Sequence, residues 1–188
     1  MKNPYLIGER VYFRPVEGED AATIQPWLND PEVRQYMRRW QPLNMKAEIE
    51  WIEKFSSDPA VLVGMIVRKE GDLPIGVGGL HNVDQRNRRG EFGITIGDKS
   101  CWGQGLGTEA TKLAIEYGFL IANLHRIVLH VYEYNTRAIR CYEKIGFIRE
   151  GVLRQDQFHN GRYWDTIVMS MLRGEWDSRQ AETSRPKS

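Results

Sequence analysis

Residues 101–110 read CWGQGLGTEA, with Gly103, Gly105 and Gly107 inside five positions, directly after an apolar alternating run and directly before a helical pattern. Without side chains, consecutive backbone N–H groups can approach an anion closely. The unpaired N–H groups and positive dipole end of the following helix would add to the attraction. A phosphate is the natural occupant, and the plainer alternative is a tight turn into a helix with nothing bound. Two known phosphate motifs do not fit. A P-loop needs GxxxxGK[ST], and no Lys follows Gly107; a dinucleotide fingerprint needs GxGxxG, and counting from Gly103 its last position is Thr108. What is left is G-x-G-x-G-T-E-A, which could wrap a pyrophosphate with the amides of Gln104, Gly105, Leu106, Gly107 and Thr108.

Working outward, Ala110, Leu113, Ala114, Tyr117, Ile121 and Leu124 recur at helical spacing from Thr108 onward. Upstream, RVYFRPV (10–16) reads as a first strand, followed by two short helices over about 20–37 and 46–55. AVLVGMIVRK and PIGVGGLHNV are β-rich runs split by EGD, and GEFGITIG gives a third, so three consecutive strands form an antiparallel meander. Downstream come the strand IVLHVY, the helix NTRAIRCYEKIG capped by Gly146, and two β-rich runs flanking His159-Asn160-Gly161, a strong hairpin signal. A meander followed by strand, helix, strand, helix and strand predicts an α/β fold with a mixed sheet. The glycine loop then sits at the carboxyl end of a strand, where open α/β sheets bind ligands. One domain is expected over 1–176. Residues 177–188, DSRQAETSRPKS, have no aromatic or branched aliphatic residue and are expected to be a disordered tail.

The composition narrows the function by what it withholds. Lys and Arg number 26 against 25 Asp and Glu, and this balance gives no general attraction to nucleic acid or an anionic membrane. No apolar stretch approaches the ~18 residues of a membrane span, and MKNPYLIGER lacks a secretory apolar run, so the cytoplasm is the expected location. Cys101 and Cys141 form neither a CxxC nor a Cys/His cluster, and no metal site is expected. Cys101 beside the loop would be a nucleophile only with an activating His, and none is close in sequence. Self-association is compatible with the sequence.

In NTRAIRCYEKIGF (135–147), Asn135 and Tyr142 lie seven residues apart, two helical turns or about 10.5 Å along one face. Both could address one elongated ligand, or Asn135 could be a helix N-cap and Tyr142 a core residue. The two stretches in this order resemble the GNAT superfamily of acyl-CoA-dependent N-acetyltransferases. The loop is similar to that family's [QR]-x-x-G-x-[GA] motif, with Gly105 and Gly107 at the small positions and Trp102 where Gln or Arg is usual. Trp-Gly there resembles the branch of ribosomal-protein N-terminal acetyltransferases. NTRAIRCYEKIGF resembles N-x-x-A-x-x-x-Y-x-x-x-G-F at Asn135, Ala138, Tyr142, Gly146 and Phe147. RRGEFGITI, KLAIEYGF and GRYWDTIVM look more like spermidine N-acetyltransferases.

The resemblance implies a mixed, mostly antiparallel sheet of about seven strands with flanking helices. It also implies acetyl-CoA lying between two splayed parallel strands, FGITI and IVLHV. Amides at about Ile94, Thr95 and Ile96 would bind the pantetheine and polarise the thioester carbonyl, with Asn135 on the pantetheine arm. The acceptor amine is protonated at neutral pH and must lose a proton before attack, with Glu91 as candidate base and His81 in reserve. His125, His130 and His159 read as structural. Tyr142 fits the acid that protonates the departing thiolate. The acceptor implied is a polyamine such as spermidine, with Asp30 and Glu32 as candidate carboxylates. A protein N-terminus, another small amine or a non-catalytic acyl-CoA-binding role stand as the alternatives.

Overall fold

The computed structural model describes residues 1–183. Eight strands form one sheet: β1 (Leu6–Ile7), β2 (Val11–Arg14), β3 (Leu62–Arg68), β4 (Leu73–Asp84), β5 (Arg89–Ile96), β6 (Arg126–Tyr132), β7 (Ile148–His159) and β8 (Arg162–Leu172). They lie in the order β1-β2-β3-β4-β5-β6-β8-β7, and of the neighbouring pairs β5 and β6 alone run parallel. The meander arises where Gly71 and Asp72 adopt positive φ and close Arg68 against Leu73. The last hairpin closes in the same way through Asn160 and Gly161, pairing His159 with Arg162.

Among the described residues six α-helices flank the sheet: α1 (Ala21–Asn29), α2 (Pro31–Arg34), α3 (Met45–Ser56), α4 (Leu106–Leu120), α5 (Thr136–Ile145) and α6 (Arg173–Thr183). Strand alternation divides the core into two layers. Val11, Phe13, Ile66, Leu80, Phe92, Leu129 and Val131 meet α4 and α5 on one face. Tyr12, Met65 and Val67 meet Ile24, Leu28 and Ile52 of α1 and α3 on the other. All four residues of β2 are buried because it lies between both layers. Arg14 and Asp20 tie β2 to the start of α1 through a buried two-bond pair at 2.7 and 2.6 Å. α4 lies close on the sheet because a Cβ at Gly118 would come within 2.7 Å of Leu80 Cδ1 and 2.8 Å of Ile127 Cδ1.

Four expectations change. The sheet has eight strands, the added one being the two-residue β1, which pairs Leu6 with Phe13. The helix expected over 20–37 is divided, because Asp30, preceding Pro31, turns extended (ψ 122°) and caps α2. α4 begins at Leu106, two residues before Thr108. The expected disordered tail is helical through Thr183, while 184–188 lie outside the described residues. Several contacts hold α6: Trp176 packs on Phe119 at 5.6 Å, Arg173 N–H donates to His125 O at 2.8 Å and its guanidinium bonds Phe119 O, and Arg173 pairs with Asp177 one turn on at 3.0 Å. Among the described residues no helix is long and apolar enough to cross a membrane.

Candidate active site

The parallel ladder between β5 and β6 is short. Arg89 pairs with Arg126, Gly90 with Ile127 and Glu91 with Val128, and beyond that register the strands part. β5 stays with β4 as far as Ile96, and β6 stays with β8 as far as Tyr132. A wedge-shaped opening therefore splits the sheet from Phe92 onward on one side and Leu129 onward on the other. Gly97 N–H donates to Ile75 O at 2.9 Å, and a side chain on Gly76 would overlap the Thr95 carbonyl, so Thr95 and Gly97 turn their polar groups toward β4. Alternation then turns Ile94 and Ile96 into the opening. Of the three amides expected there, that of Thr95 faces the ladder with β4 instead.

The glycine loop stands at the end of β5. Gly103 (φ +75°) and Gly105 (φ +79°) are both left-handed, conformations that side chains other than glycine resist. Gly105 is the N-cap of α4, whose first intrahelical bond runs from Glu109 N–H to Gly105 O at 3.1 Å. The N–H groups of Leu106, Gly107 and Thr108 thus have no intrahelical acceptor. Gln104 Nε2 donates to Ser100 O at 2.6 Å. Arg10, from the start of β2, reaches over this helix end: its guanidinium bonds Gln104 O at 2.9 Å and Glu109 at 3.1 Å, and Nη2 lies 3.3 Å from where a Gly105 Cβ would be. Charge and amides converge as an anion site requires. No local pattern in the sequence marks Arg10, because its partners lie 94 and 99 residues away.

Across the opening, α5 presents Tyr142 on the α4 face. Its ring meets Phe92 and Phe147 edge-on, at 6.2 and 5.9 Å. Burial pushes the phenol well above its ordinary range, so it is protonated at neutral pH. Its hydroxyl is not among the fully sealed, unpartnered polar atoms of the described residues, which are Glu48 Oε1 and Tyr132 OH. Asn135 is the N-cap of α5, accepting Ala138 N–H at 3.2 Å. Its side-chain oxygen therefore serves the helix. The loop and α5 are joined twice: the Thr108 hydroxyl contacts Cys141 Sγ at 3.1 Å, and Arg137 covers the Trp102 ring at 4.3 Å, while Trp102 Nε1 donates to Ile96 O at 2.8 Å.

On the opposite face stand Glu91, His81 and His130. His81 is the β4 partner of Glu91. His130 lies two residues beyond Val128, the β6 partner of Glu91, so all three side chains share one face. Glu91 Oε1 is 2.8 Å from His130 Nδ1 and 3.8 Å from His81 Nε2, and Oε2 accepts from Asn82 at 3.1 Å. Burial alone would raise the Glu91 carboxyl, but the hydrogen bonds from His130 and Asn82 bring it below the usual carboxylate range. Burial lowers His81, outweighing the pull of Glu91, and favours its neutral form. A Cβ on Gly93 would touch His81 Cε1 at 3.3 Å, so the strand is bare beside the cluster. Arg88 and Arg89, the arginines nearest Glu91 in sequence, bond Asn123 and Asp84 rather than Glu91.

The candidate acceptor carboxylates Asp30 and Glu32 are both engaged by Lys99, at 2.8 and 3.1 Å, and Asp30 also caps α2. Glu48 is buried, and Glu50 pairs with Lys46. By contrast Glu133, Asp156 and Asp165, beyond the open end of β6, form no ion pair among the described residues; Asp165 N–H donates to Glu133 and Thr166 Oγ1 to Asp156.

Residues 10–148 match the acetyltransferase (GNAT) domain. The chain belongs to the GNAT acetyltransferase family. It is 37% identical over 174 residues to the spermidine N(1)-acetyltransferase of Vibrio cholerae, covering 92% of this chain and 99% of that one. Identity to the Escherichia coli K12 spermidine N(1)-acetyltransferase is 33% over 169 residues, 88% of each chain. In three dimensions it resembles the crystal structure of the Vibrio cholerae spermidine N-acetyltransferase in complex with CoA and spermine, with a TM-score of 0.84 and 29% identity over 90% of this chain and 99% of that one. The protein is an N-acetyltransferase of GNAT type and uses acetyl-CoA.

Proposed function

We propose that this GNAT acetyltransferase moves the acetyl group of acetyl-CoA directly to a primary amine of a polyamine such as spermidine, at the opening between β5 and β6. The observation that carries the reading is the parting of these strands after the Glu91–Val128 register, with Tyr142 on one face of the gap and the Glu91 cluster on the other. In this reading, the amides from Gln104 to Thr108 hold the diphosphate under the Arg10 guanidinium. The backbone of Ile94 and Ile96 takes the place of a missing strand neighbour for the pantetheine and the thioester carbonyl. The Glu91 cluster receives the ammonium proton, and Tyr142 protonates the leaving thiolate. Burial keeps the Tyr142 phenol protonated, the form that can donate to the thiolate.

The polyamine choice rests on likeness to named spermidine acetyltransferases and on Glu133, Asp156 and Asp165, whose charge no Lys or Arg pairs with among the described residues. The test is CoA release from acetyl-CoA, followed with a thiol reagent across spermidine, spermine, an aminoglycoside and short peptides. Turnover with the polyamines at lowest KM is the expected result. Preference for a peptide N-terminus would move the acceptor class, and no amine-dependent release would leave an acyl-CoA-binding module.

A further inference from the structure

We propose that His130, rather than Glu91, takes the proton from the acceptor ammonium, and that Glu91 is its positioning residue; this rests on the amine-acetylating reading above. Both oxygens of Glu91 already accept from side chains, Oε1 from His130 at 2.8 Å and Oε2 from Asn82 at 3.1 Å. A carboxylate so engaged is a poor acceptor for an ammonium proton. The Glu91–Nδ1 contact fixes the neutral imidazole as its Nδ1–H tautomer and leaves the Nε2 lone pair available. No hydrogen bond occupies Nε2 among the described residues.

Position supports the assignment. His130 stands on β6 just past the last register shared with β5, where the sheet opens, and it is about one-third exposed. The charged or titratable groups facing it are Glu91 from β5 and His81 from β4. Its β8 partner is Val168, which is apolar, and Arg126, earlier on β6, is tied to Glu150 and Ser170. Gly93, two residues along β5 from Glu91, lets the His81 ring lie close over the strand, where a Cβ would stand 3.3 Å from His81 Cε1. In the step, an N–H bond of the ammonium breaks and its proton goes to Nε2. The freed nitrogen pair then bonds the thioester carbon, and the C–S bond breaks with its pair on sulfur. Nitrogen sheds two protons in all; sulfur takes one from Tyr142, which is reprotonated, and the other leaves to solvent.

The experiment is steady-state acetylation of spermidine by the full chain and by H130A, H130Q and E91Q, each checked by thermal melt for folding. H130A is expected to lose roughly 10²–10⁴-fold in kcat with the KM for acetyl-CoA unchanged. Added imidazole should restore at least about tenfold, and substituted imidazoles should rescue in order of their basicity. H130Q should lose as much without rescue, because its amide fills the space. E91Q should lose less and ignore imidazole, because the ring is still present. An H130A enzyme within about tenfold of wild-type kcat, or one that no imidazole restores, returns the role to Glu91 acting through water. If spermidine is not a substrate but another amine is, the acceptor reading fails and the same variants are judged with that amine. If no amine is, they are judged on acetyl-CoA hydrolysis, in which water needs the same base.

Discussion

The α4–α5 side of the sheet and the α1–α3 side both handle charge, but with different parts of the chain. On the first, the anion site is mostly backbone: left-handed glycines, a helix end with unsatisfied amides, and one guanidinium laid across it. On the second, recognition depends on side chains, and several of these are already committed to one another. Lys99 holds Asp30 and Glu32, Arg14 holds Asp20, and His130 with Asn82 holds Glu91. Backbone sites leave their mark in local sequence, because glycine must stand where side chains cannot. Side-chain sites often do not, because a carboxylate's availability can be decided by a partner tens of residues away, as Lys99 decides that of Asp30 and Glu32.

Variants on the two sides would pull this contrast apart. The largest effect is expected for Tyr142→Phe, a fall in kcat of roughly 10²–10⁴ with acetyl-CoA affinity retained, read by steady-state kinetics and isothermal titration. Loss of affinity instead would make Tyr142 a packing residue. Next is Asp20→Ala, which strands a buried guanidinium and should cost about 3–5 kcal/mol in denaturant unfolding. Burial pushes the Asp20 carboxyl up, but the Arg14 hydrogen bonds more than reverse this, so its folded value lies below the unfolded one. That contribution is complete above about pH 3.9 and disappears as pH falls through the lower folded value, so acid should shrink the difference between variant and wild type.

A pair of glycine substitutions asks whether each side serves its own substrate. Gly105→Val places a β-branched residue at φ +79°, against Arg10, and should raise the acetyl-CoA KM about tenfold while sparing that of the amine. Gly93→Val, crowding His81, should do the converse more mildly. Were both to shift the same KM, the two sides would form one indivisible site. The smallest effect belongs to Lys99→Ala. Freeing Asp30 and Glu32 should change the spermidine KM by no more than about twofold, since exposed ion pairs are weakly coupled to their surroundings. A marked improvement would restore both carboxylates as acceptor ligands.

The same contrast explains what could be read from the chain. The meander, the capped α5 and the loop follow from period, turn residues and glycine spacing, all local properties, whereas the parallel pair is expected from the family resemblance. Residues 177–183 show the limit: their composition reads as a tail, yet they continue α6, whose start is held by Trp176 on Phe119, 57 positions earlier in the chain, and by Arg173 on the Phe119 carbonyl. Asp30 shows another, since a residue before proline both ended α1 and began α2. Asn135 was legible only as two alternatives, and its Oδ1 bond to Ala138 shows the capping role. Arg10 and His130 carried no local mark. Their meaning comes from register, which brings Arg10 over Glu109 and sets His130 against Glu91.

The short parallel ladder has a mechanical corollary. Within the sheet, five strands on one side and three on the other are hydrogen-bonded to each other through only three registers, and α4 bridges the two by packing on both Leu80 and Ile127. A molecule bonding along the free edge of β5 would extend that seam and brace the two parts, making occupancy and rigidity rise together. Amide exchange along β5 and β6 would show this as slowed opening when acetyl-CoA is added.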